Sequence, residues 1–445
     1  FFGIVLGGGI ALPLSPLYPA GELAWFAADA GADTLILSPE HAARAAQISQ
    51  DRRVIALADL FDGSPHEPSS LADLPAESTA LLLYTSGTTG KPKGAMLSHA
   101  AVATQASLLH EAWAVTDTDA LLHALPLHHL HGLGISLLTA LLAGARAKML
   151  PRFDPRRVWD ELAGVSVWMA VPTMYQKLFE AFDAADAPTQ ARWAASARAL
   201  RLATSGSAAL PVTLAARWEA LTGEIPLERF GMTEIGVGMS NPRDPGARRA
   251  GSVGHARPTV ESRIVDDHGG DSDAGPGELL IRGPSLFQGY WQREEATLAA
   301  FRDGWFCTGD RGSLDGDGYL YFVDRKKDAV RYKGRNISTF EVEMVARRHP
   351  AVADCGAFGI PSEELESEDE IKLNVILKPD SVVTETEIAR FINDNAPHFF
   401  VPRYIEFVSE LPYTPNQKLQ KFKLRELGVG PAAWDARKAG FQAKR

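Results

Sequence analysis

Short apolar runs alternate with helical patterns along the first half of the chain, and this alternation limits the folds that the chain can adopt. The segment GELAWFAADAGADTLILSP, residues 21–39, reads as an amphipathic helix, a glycine turn and a short apolar strand. Comparable apolar runs follow at LLLYTSG, AKMLPRFDP, VSVWMAVPT and LRLATSGSAAL. Because parallel strands need crossover helices, the pattern predicts an α/β fold with largely parallel sheets covered by helices.

The pattern changes twice further along the chain. Between residues 249 and 324, alternating strands separated by turns predict a small β-rich subdomain. After the sequence DRKKD, two helical and three strand patterns indicate a compact α+β domain of about 100 residues. We therefore expect a large N-terminal domain of stacked α/β subdomains plus the small β-rich subdomain, residues 1–324, followed by a small α+β C-terminal domain, residues 325–445.

The composition argues against several classes of protein. The chain has 45 Lys and Arg against 55 Asp and Glu, a net charge of −10, whereas binding to nucleic acid or an anionic membrane needs a basic face. Cys307 and Cys355 have neither a disulfide nor a zinc spacing, so we expect a reducing, cytoplasmic compartment. No apolar run reaches the roughly 18 residues of a membrane helix, so we expect no membrane insertion.

The chain begins within the apolar segment FFGIVLGGGI and lacks an initiator methionine. We therefore expect that further residues precede this segment in the protein.

The segment TSGTTGKPKG, residues 85–94, is the candidate phosphate-binding loop. It does not match the Walker pattern, because Gly87 and Gly90 are too close together and Pro92 follows Lys91 where that pattern needs a hydroxyl. Its glycines let backbone N–H groups approach phosphate oxygens, and its hydroxyls and lysines add donors and charge. The segment is therefore either a phosphate-binding loop of another kind or a polar hairpin loop.

Seven further motifs follow this loop in order: ALPLHHLHGLG, ERFGMTE, GELLIRGP, GWFCTGD, VDRKKD, YKGRNIS and PNQKLQK. Together with the loop they resemble the signatures of the adenylate-forming superfamily, which includes acyl- and aryl-CoA synthetases, peptide-synthetase adenylation domains and luciferases. The resemblance covers essentially the entire chain. It implies an ATP-dependent carboxylic acid–CoA ligase that forms an acyl-adenylate and pyrophosphate, and then transfers the acyl group to CoA with release of AMP.

The resemblance also implies which residues bind ATP and Mg²⁺. The implied ATP-binding residues are Thr85, Ser86, Gly87, Thr88, Thr89, Gly90, Lys91, Lys93, Gly206, Ser207, Ala208, Arg229, Phe230, Gly231, Met232, Asp310 and Arg325. Phe230 would stack on adenine, and Asp310 and Arg325 would bind the ribose. Thr233 would bond the α-phosphate, and Glu234 would ligate Mg²⁺, which takes one or two carboxylates plus phosphate oxygens.

A third catalytic residue beside Thr233 and Glu234 is implied in PNQKLQK. Lys418 matches the lysine that bridges the substrate carboxylate and the α-phosphate, where two converging oxyanions need a cation between them. Gln417 stands where the family usually has glycine, and Lys421 is the nearby competitor.

The resemblance implies that the C-terminal domain is mobile. Lys327 matches the hinge about which this domain turns between the two half-reactions. Gly334 matches the glycine that packs beside the pantetheine tunnel of CoA. Lys333 and Arg335 either meet the phosphates of CoA or belong to a solvated surface.

One segment of the large domain indicates which carboxylic acid is the substrate. The segment RFGMTEIGVGMSNPRDPGARRAGSVG resembles malonyl-CoA synthetases, so we expect malonate or methylmalonate as substrate. A second carboxylate in a closed pocket needs a cation, and Arg248 or Arg249 is the candidate, unless both are ordinary loop arginines. The small domain instead resembles carnitine/crotonobetaine-type acyl-CoA ligases.

The histidines of HHLH suggest two further readings. The resemblance points to His129 as a residue that lines the acyl pocket. A metal site formed by His128, His129 and His131 is disfavoured, because side chains alternate between the two faces of a strand.

The motifs leave other functions open. The chain could be a medium-chain, carnitine-type or aromatic acyl-CoA ligase, or an adenylating enzyme that loads a carrier protein. A non-catalytic nucleotide-binding member is disfavoured by the presence of Thr233, Glu234, Asp310 and Lys418.

Overall fold

A computed structural model describes residues 1–49, 51–61, 73–85, 92–266, 269–272, 276–325, 328, 330–332, 335–362, 368–413 and 419–443, of which 61, 323–325, 331, 335 and 336 are described by their backbone alone. The chain divides into two compact units. The first consists of Phe1–Ser262 and Ile281–Phe306, and the second of Arg263–Leu280 and Cys307–Arg445.

A seven-stranded sheet forms the centre of the first unit. In spatial order its strands are His255–Ala256, Gly236–Ser240, Leu227–Met232, Leu202–Ser205, Val167–Ala170, Ala120–His123 and Arg146–Met149. The last five run parallel, and the first two pair antiparallel at one edge. The three middle parallel strands are buried along their whole length, as expected where helices cover both faces.

Helices of the first unit follow the strands as the sequence pattern predicts. The α-helices are Phe2–Leu6, Ala20–Asp29, Ala45–Ile48, His99–Trp113, Thr139–Leu142, Pro155–Glu161, Pro172–Asp183, Ala187–Arg198, Val212–Thr222 and Glu294–Ala299. A π-helix spans His131–Leu138, and 3-10 turns span Pro39–Arg44, Leu57–Phe61 and Pro245–Ala247. The buried rings of Trp159, Trp193 and Trp218 stack with centroids 5.8 and 6.0 Å apart and join three of these helices.

A second sheet frames the candidate phosphate-binding loop. Strands Thr79–Thr85 and Lys93–Ser98 pair antiparallel on either side of the loop. The short strand Gly289–Tyr290 pairs with the other edge of Lys93–Ser98. A separate parallel pair joins Thr34–Leu37 to Arg53–Ala56.

Alternating strands are present between residues 249 and 324, as predicted. One sheet contains Glu261–Val265, Gly277–Arg282, Trp305–Leu314 and Phe301–Arg302 in that order, with Leu320–Arg325 paired to Trp305–Leu314. The division between the two compact units passes through the first three of these strands. The domain boundary at 324–325 stays a prediction.

The C-terminal part of the second unit has the predicted α+β composition. Its four-stranded sheet has the order Val352–Pro361, Asp369–Leu377, Tyr404–Phe407 and Trp434–Asp435. Helices Thr339–Arg347, Glu385–Asn395 and Lys421–Leu427, a 3-10 turn His398–Phe400 and the hairpin Val330–Tyr332 with Arg335–Ile337 complete it. Val342, Ile388 and Ile405 lie in its fully buried core. Within the described residues, no helix is both long and apolar enough to span a bilayer.

Candidate active site

The candidate site of the first unit forms at the carboxyl ends of parallel strands. Gly206, Ser207 and Ala208 follow strand Leu202–Ser205, and Thr233 follows the neighbouring strand Leu227–Met232. Open α/β sheets bind ligands at this edge, because successive loops converge there. The structure therefore brings the SGSAAL and ERFGMTE motifs together.

The histidine segment reaches the same edge by a different backbone path from the predicted one. His128 and His129 lie in a turn after strand Ala120–His123, and the π-helix begins at His131, so the expectation of a strand is wrong here. Nδ1 of His131 lies 3.2 Å from Oγ of Ser207, which ties this segment to SGSAAL. Within the described ranges no group of three or more His, Cys, Asp or Glu side chains could hold a metal ion.

Arg229 is the most unusual charged residue of the site. It is 3% exposed, and its Nε and Nη2 atoms have no hydrogen-bond partner among the described residues. A Cβ atom at Gly206 would lie 2.3 Å from its Cζ, so the guanidinium occupies space that only glycine leaves open. Burial lowers the pKa of Arg229 to about 10. A buried cation without an acceptor is unfavourable, so this position is suited to receive an anion.

Glu228 fixes the loops on both sides of Arg229. Its buried carboxylate accepts hydrogen bonds from the backbone N–H groups of Leu210, at 3.1 Å, and Gly251, at 2.9 Å. Burial raises the pKa of Glu228 to about 7, although both bonds act in the opposite direction. We assigned Glu228 no role from the sequence, in which it opens the ERFGMTE motif directly before Arg229.

Glu234 occupies a turn that its neighbours hold in place. Its carboxylate Oε1 accepts a hydrogen bond from the hydroxyl of Tyr290 at 2.9 Å, and its carbonyl accepts one from the N–H of Phe287 at 2.8 Å. Burial raises the pKa of Tyr290, so this hydroxyl keeps its proton and donates. On the far side of the turn, Oε1 of Gln105 accepts from the N–H of Val237 at 2.8 Å.

The ends of the candidate phosphate-binding loop are described, and the rest of the loop is not. Thr85 and Lys93 are paired across the two strands, and the Thr85 hydroxyl donates to the Lys93 carbonyl at 3.3 Å. Nζ of Lys93 lies 4.8 Å from the ring centroid of Tyr290. Ser86, Gly87, Thr88, Thr89, Gly90 and Lys91 lie outside the described residues.

The side chain of Arg248 is bonded to backbone carbonyls of its own surroundings. Its guanidinium donates to the carbonyls of Arg243, at 2.7 Å, and Ile225, at 2.8 Å, and lies 3.4 Å from the carboxylate of Glu224. These bonds join two loops and occupy the donors that a substrate would need. The backbone N–H of Arg249 donates to Oδ1 of Asn241 at 3.0 Å.

The second unit contains the predicted ribose-binding pair. Asp310 and Arg325 are direct partners in the antiparallel pairing of their strands, so the backbone brings the two positions together. Asp310 is buried, and its N–H donates to the Thr308 hydroxyl at 3.1 Å. The side chains of Arg325 and Arg335 are not described, and Lys327, Lys333, Gly334 and Lys418 lie outside the described residues.

Lys421, the competitor of Lys418, is held in a network of its own unit. Its Nζ lies 2.8 Å from Oε1 of Glu343 and donates to the Thr339 hydroxyl at 2.8 Å. The Lys421 side chain is only 14% exposed. Its ammonium is therefore committed to Glu343 and Thr339, which argues against Lys421 as the reacting cation.

Two family models match the chain. The AMP-binding enzyme model matches residues 1–291, and the AMP-binding enzyme C-terminal domain model matches residues 341–418. The chain therefore belongs to the AMP-binding enzyme family, which confirms the resemblance to adenylate-forming enzymes.

Curated relatives of the chain include several CoA ligases. Malonate–CoA ligase of Arabidopsis thaliana is 34% identical over 95% of this chain and 75% of the relative. The mitochondrial malonate–CoA ligase of Mus musculus is 33% identical over 94% of this chain and 77% of the relative. A probable CoA ligase of Humulus lupulus is 37% identical over 81% of this chain, and the match spans 65% of that relative's length.

Solved structures with the same fold include ATP-bound MatB from Rhodopseudomonas palustris. It has a TM-score of 0.86 and 34% identity, with 95% of this chain and 84% of the other covered. The anthranilate CoA ligase AuaEII in complex with anthranoyl-AMP has a TM-score of 0.83 and 28% identity, with 96% and 84% covered. The predicted α/β fold is confirmed, and so is the resemblance of the sequence to malonyl-CoA synthetases.

Proposed function

We propose that the chain is an AMP-forming acid–CoA ligase that converts malonate, ATP and CoA to malonyl-CoA, AMP and pyrophosphate. The buried guanidinium of Arg229 carries this proposal. Its Nε and Nη2 have no hydrogen-bond partner among the described residues, which marks a site for an anion at the strand ends where the acid is expected. The identity with malonate–CoA ligases supports the same acid.

Arg229 would bind the second carboxylate of the substrate. A guanidinium can bond a carboxylate through two parallel N–H donors, and this pairing is strongest where water is excluded. The absence of a side chain at Gly206 leaves room for the guanidinium. Arg229 thus takes the role that the sequence suggested for Arg248 or Arg249, while the bonds of Arg248 support a structural role.

The first half-reaction would form malonyl-adenylate. A carboxylate oxygen of malonate attacks the α-phosphorus of ATP, and the bond to the β-phosphate oxygen breaks as pyrophosphate leaves. The Thr233 hydroxyl would donate to the α-phosphate, and Lys418 would place its ammonium between the two reacting anions. Asp310 would accept hydrogen bonds from the ribose hydroxyls.

The second half-reaction would use the thiol of CoA. The sulfur attacks the activated carbonyl, the carbonyl–oxygen bond to AMP breaks, and the thiol proton is released. In our proposal the C-terminal domain turns about Lys327 between the steps, which withdraws Lys418 and presents Gly334 with Lys333 and Arg335 to CoA.

Glu234 fits a magnesium site of the kind that nucleotide phosphates complete. Its carboxylate is buried, and one oxygen is oriented by Tyr290. Mg²⁺ is commonly held by one or two carboxylates together with phosphate oxygens and water, so a single protein carboxylate is sufficient. When bound, Mg²⁺ neutralises charge on the phosphates.

Release of pyrophosphate tests the proposed function. The chain would be incubated with MgATP and malonate, methylmalonate, octanoate or benzoate, with and without CoA. We expect malonate-dependent release and, with CoA, malonyl-CoA detected by chromatography. The absence of release with every acid would contradict the enzyme reading. Release without acyl-CoA would favour a carrier protein as acceptor, and preference for octanoate or benzoate would exclude malonate.

A further inference from the structure

Tyr290 connects two parts of the first unit that are far apart in sequence. It lies in the short strand Gly289–Tyr290, which pairs with the strand that leaves the phosphate-binding loop. Its hydroxyl donates to Oε1 of Glu234 at 2.9 Å, and its ring lies 4.8 Å from Nζ of Lys93. One side chain therefore contacts both the candidate metal-binding carboxylate and the base of the loop.

The surroundings of Tyr290 hold its side chain in this position. The backbone N–H of Tyr290 donates to the Thr297 hydroxyl at 2.9 Å, and its ring packs edge-on against buried Phe287 at 4.9 Å. The N–H of Phe287 in turn donates to the carbonyl of Glu234. Glu234 is thus fixed through its backbone by Phe287 and through its carboxylate by Tyr290.

The two contacts of Tyr290 have different physical consequences. The hydroxyl bond to Oε1 limits the rotation of the Glu234 carboxylate, and second partners of this kind commonly change metal affinity by about 10 to 100-fold. The ring attracts the Lys93 ammonium through the negative charge of its face. This attraction holds the Lys93 ammonium near the Tyr290 ring.

We propose that Tyr290 is a positioning residue that aligns the Glu234 carboxylate and the Lys93 ammonium for the magnesium-bound phosphates of ATP. This role rests on the proposed function, because it assumes that Glu234 meets the nucleotide's metal ion. Tyr290 touches neither the reacting carbonyl nor the α-phosphorus in this scheme, and it acts through Glu234 and Lys93.

Binding of ATP at equilibrium, in the absence of any acid, separates the two contacts. Calorimetry would measure the Kd for ATP with saturating Mg²⁺ and with EDTA, for the intact chain and the variants Tyr290→Phe and Tyr290→Leu. Tyr290→Phe removes only the hydroxyl, so the Kd in EDTA should stay unchanged. The Kd with saturating Mg²⁺ should rise by about 10-fold or more, because the metal-binding carboxylate is no longer oriented. Tyr290→Leu also removes the ring, so the Kd in EDTA should rise as well.

Tyr84→Phe is the matched control. Tyr84 lies in the same three-stranded sheet, and its hydroxyl donates to Oδ2 of Asp29 at 2.7 Å, away from Glu234. We expect this variant to lower the thermal stability while leaving the Mg²⁺ dependence of ATP binding unchanged.

The results have distinct meanings. An unchanged Mg²⁺ dependence in Tyr290→Phe, or an equal loss in Tyr290→Phe and Tyr84→Phe, overturns the positioning role. The absence of Mg²⁺-dependent ATP binding in the intact chain also overturns it. If the intact chain binds MgATP and Tyr290→Phe shows the selective loss, while no acid supports pyrophosphate release, the positioning role stands and the proposed ligase activity fails.

Discussion

At the residue scale, Arg229 has a buried guanidinium whose Nε and Nη2 have no acceptor among the described residues. Neighbouring Arg248 is also buried, yet carbonyl oxygens and Glu224 receive its donors. An unpaired buried charge lowers the stability of the free protein and becomes favourable only when an anion binds. Removing this charge should therefore lower kcat/KM for malonate without lowering the free energy of unfolding.

Replacing Arg229 with methionine tests this expectation. We expect kcat/KM for malonate to fall roughly 100-fold or more, since truncating one partner of a buried charge pair costs about 2–5 kcal/mol. We expect the free energy of unfolding without substrate to stay equal or rise, because the apolar side chain removes an uncompensated charge. Steady-state kinetics and urea unfolding provide the two measurements.

Arg248→Lys is the control for Arg229→Met. It should lower the free energy of unfolding, because lysine cannot bond several carbonyls at once, while leaving the preference for malonate over propionate unchanged. A selective loss of malonate use in Arg248→Lys, and none in Arg229→Met, would assign the second carboxylate to Arg248.

Glu228 gives the stability of the chain a pH dependence. Its pKa of about 7 lies above its unfolded value, so the folded state holds the proton more tightly. The stabilisation is complete below about pH 4.5 and decreases as the pH rises through 7, by up to about 3 kcal/mol. Urea unfolding between pH 5 and about pH 8 should show this decrease in the intact chain and a smaller slope in Glu228→Gln. Equal slopes in both proteins would contradict the assignment.

At the element scale, the turn that carries Thr233 and Glu234, between strands Leu227–Met232 and Gly236–Ser240, depends on a glycine. Gly236 has a φ of +71°, and a Cβ atom there would lie 1.6 Å from Oε1 of Gln105. That same oxygen accepts the N–H of Val237. The helix His99–Trp113 therefore sets the position of the turn through one glutamine.

Gly236→Ala should destabilise the chain by at least about 3 kcal/mol, because it combines a left-handed backbone with a steric overlap. Gly223→Ala is the control: Gly223 has a φ of +94°, and no described residue lies within 4 Å of an added Cβ, so it should cost only about 1–2 kcal/mol. Urea unfolding measures both. Equal losses would show that the overlap with Gln105 is relieved without cost.

At the scale of the whole molecule, the proposed reaction draws residues from both compact units. Thr233, Glu234 and Arg229 belong to the first unit, and Asp310 belongs to the second, together with the position of Lys418. Within the second unit, Tyr413 pairs with Leu419, the residue that follows Lys418, and the Tyr413 hydroxyl donates to Asp354 at 2.5 Å. The chain on both sides of residues 414–418 is therefore anchored to one network.

Lys418→Ala and Lys421→Met should separate the two lysines. Loss of Lys418 should slow malonyl-adenylate formation by about 100 to 1,000-fold while leaving thioester formation from added malonyl-adenylate intact. Loss of Lys421 breaks its pair with Glu343 and should lower Tm without affecting one half-reaction selectively. Pyrophosphate release and malonyl-CoA formation, measured separately, distinguish the two outcomes. A selective loss of adenylation in Lys421→Met, with none in Lys418→Ala, would show that Lys421 and not Lys418 supplies the reacting cation.

The sequence by itself determined the α/β fold and the family. Apolar periodicity and ordered motifs are local properties of the chain, so both can be recognised without knowing which residues are in contact. It also located the loops of residues 205–210 and 228–234 that the sheet brings to one edge. It could not show the path of the histidine segment, since a short apolar run with histidines fits a strand as well as a turn followed by a π-helix.

Only the tertiary structure distinguished the arginines and revealed the partners of Glu234. Arg229 and Arg248 are both arginines near apolar residues in the sequence, and their burial and hydrogen bonds depend on which loops pack around them. Tyr290 and Glu234 are 56 residues apart and meet because a short strand adds to the edge of the loop-bearing sheet. Charge pairing and orientation of this kind are set by the order of strands in space, which the chain specifies only when it is folded.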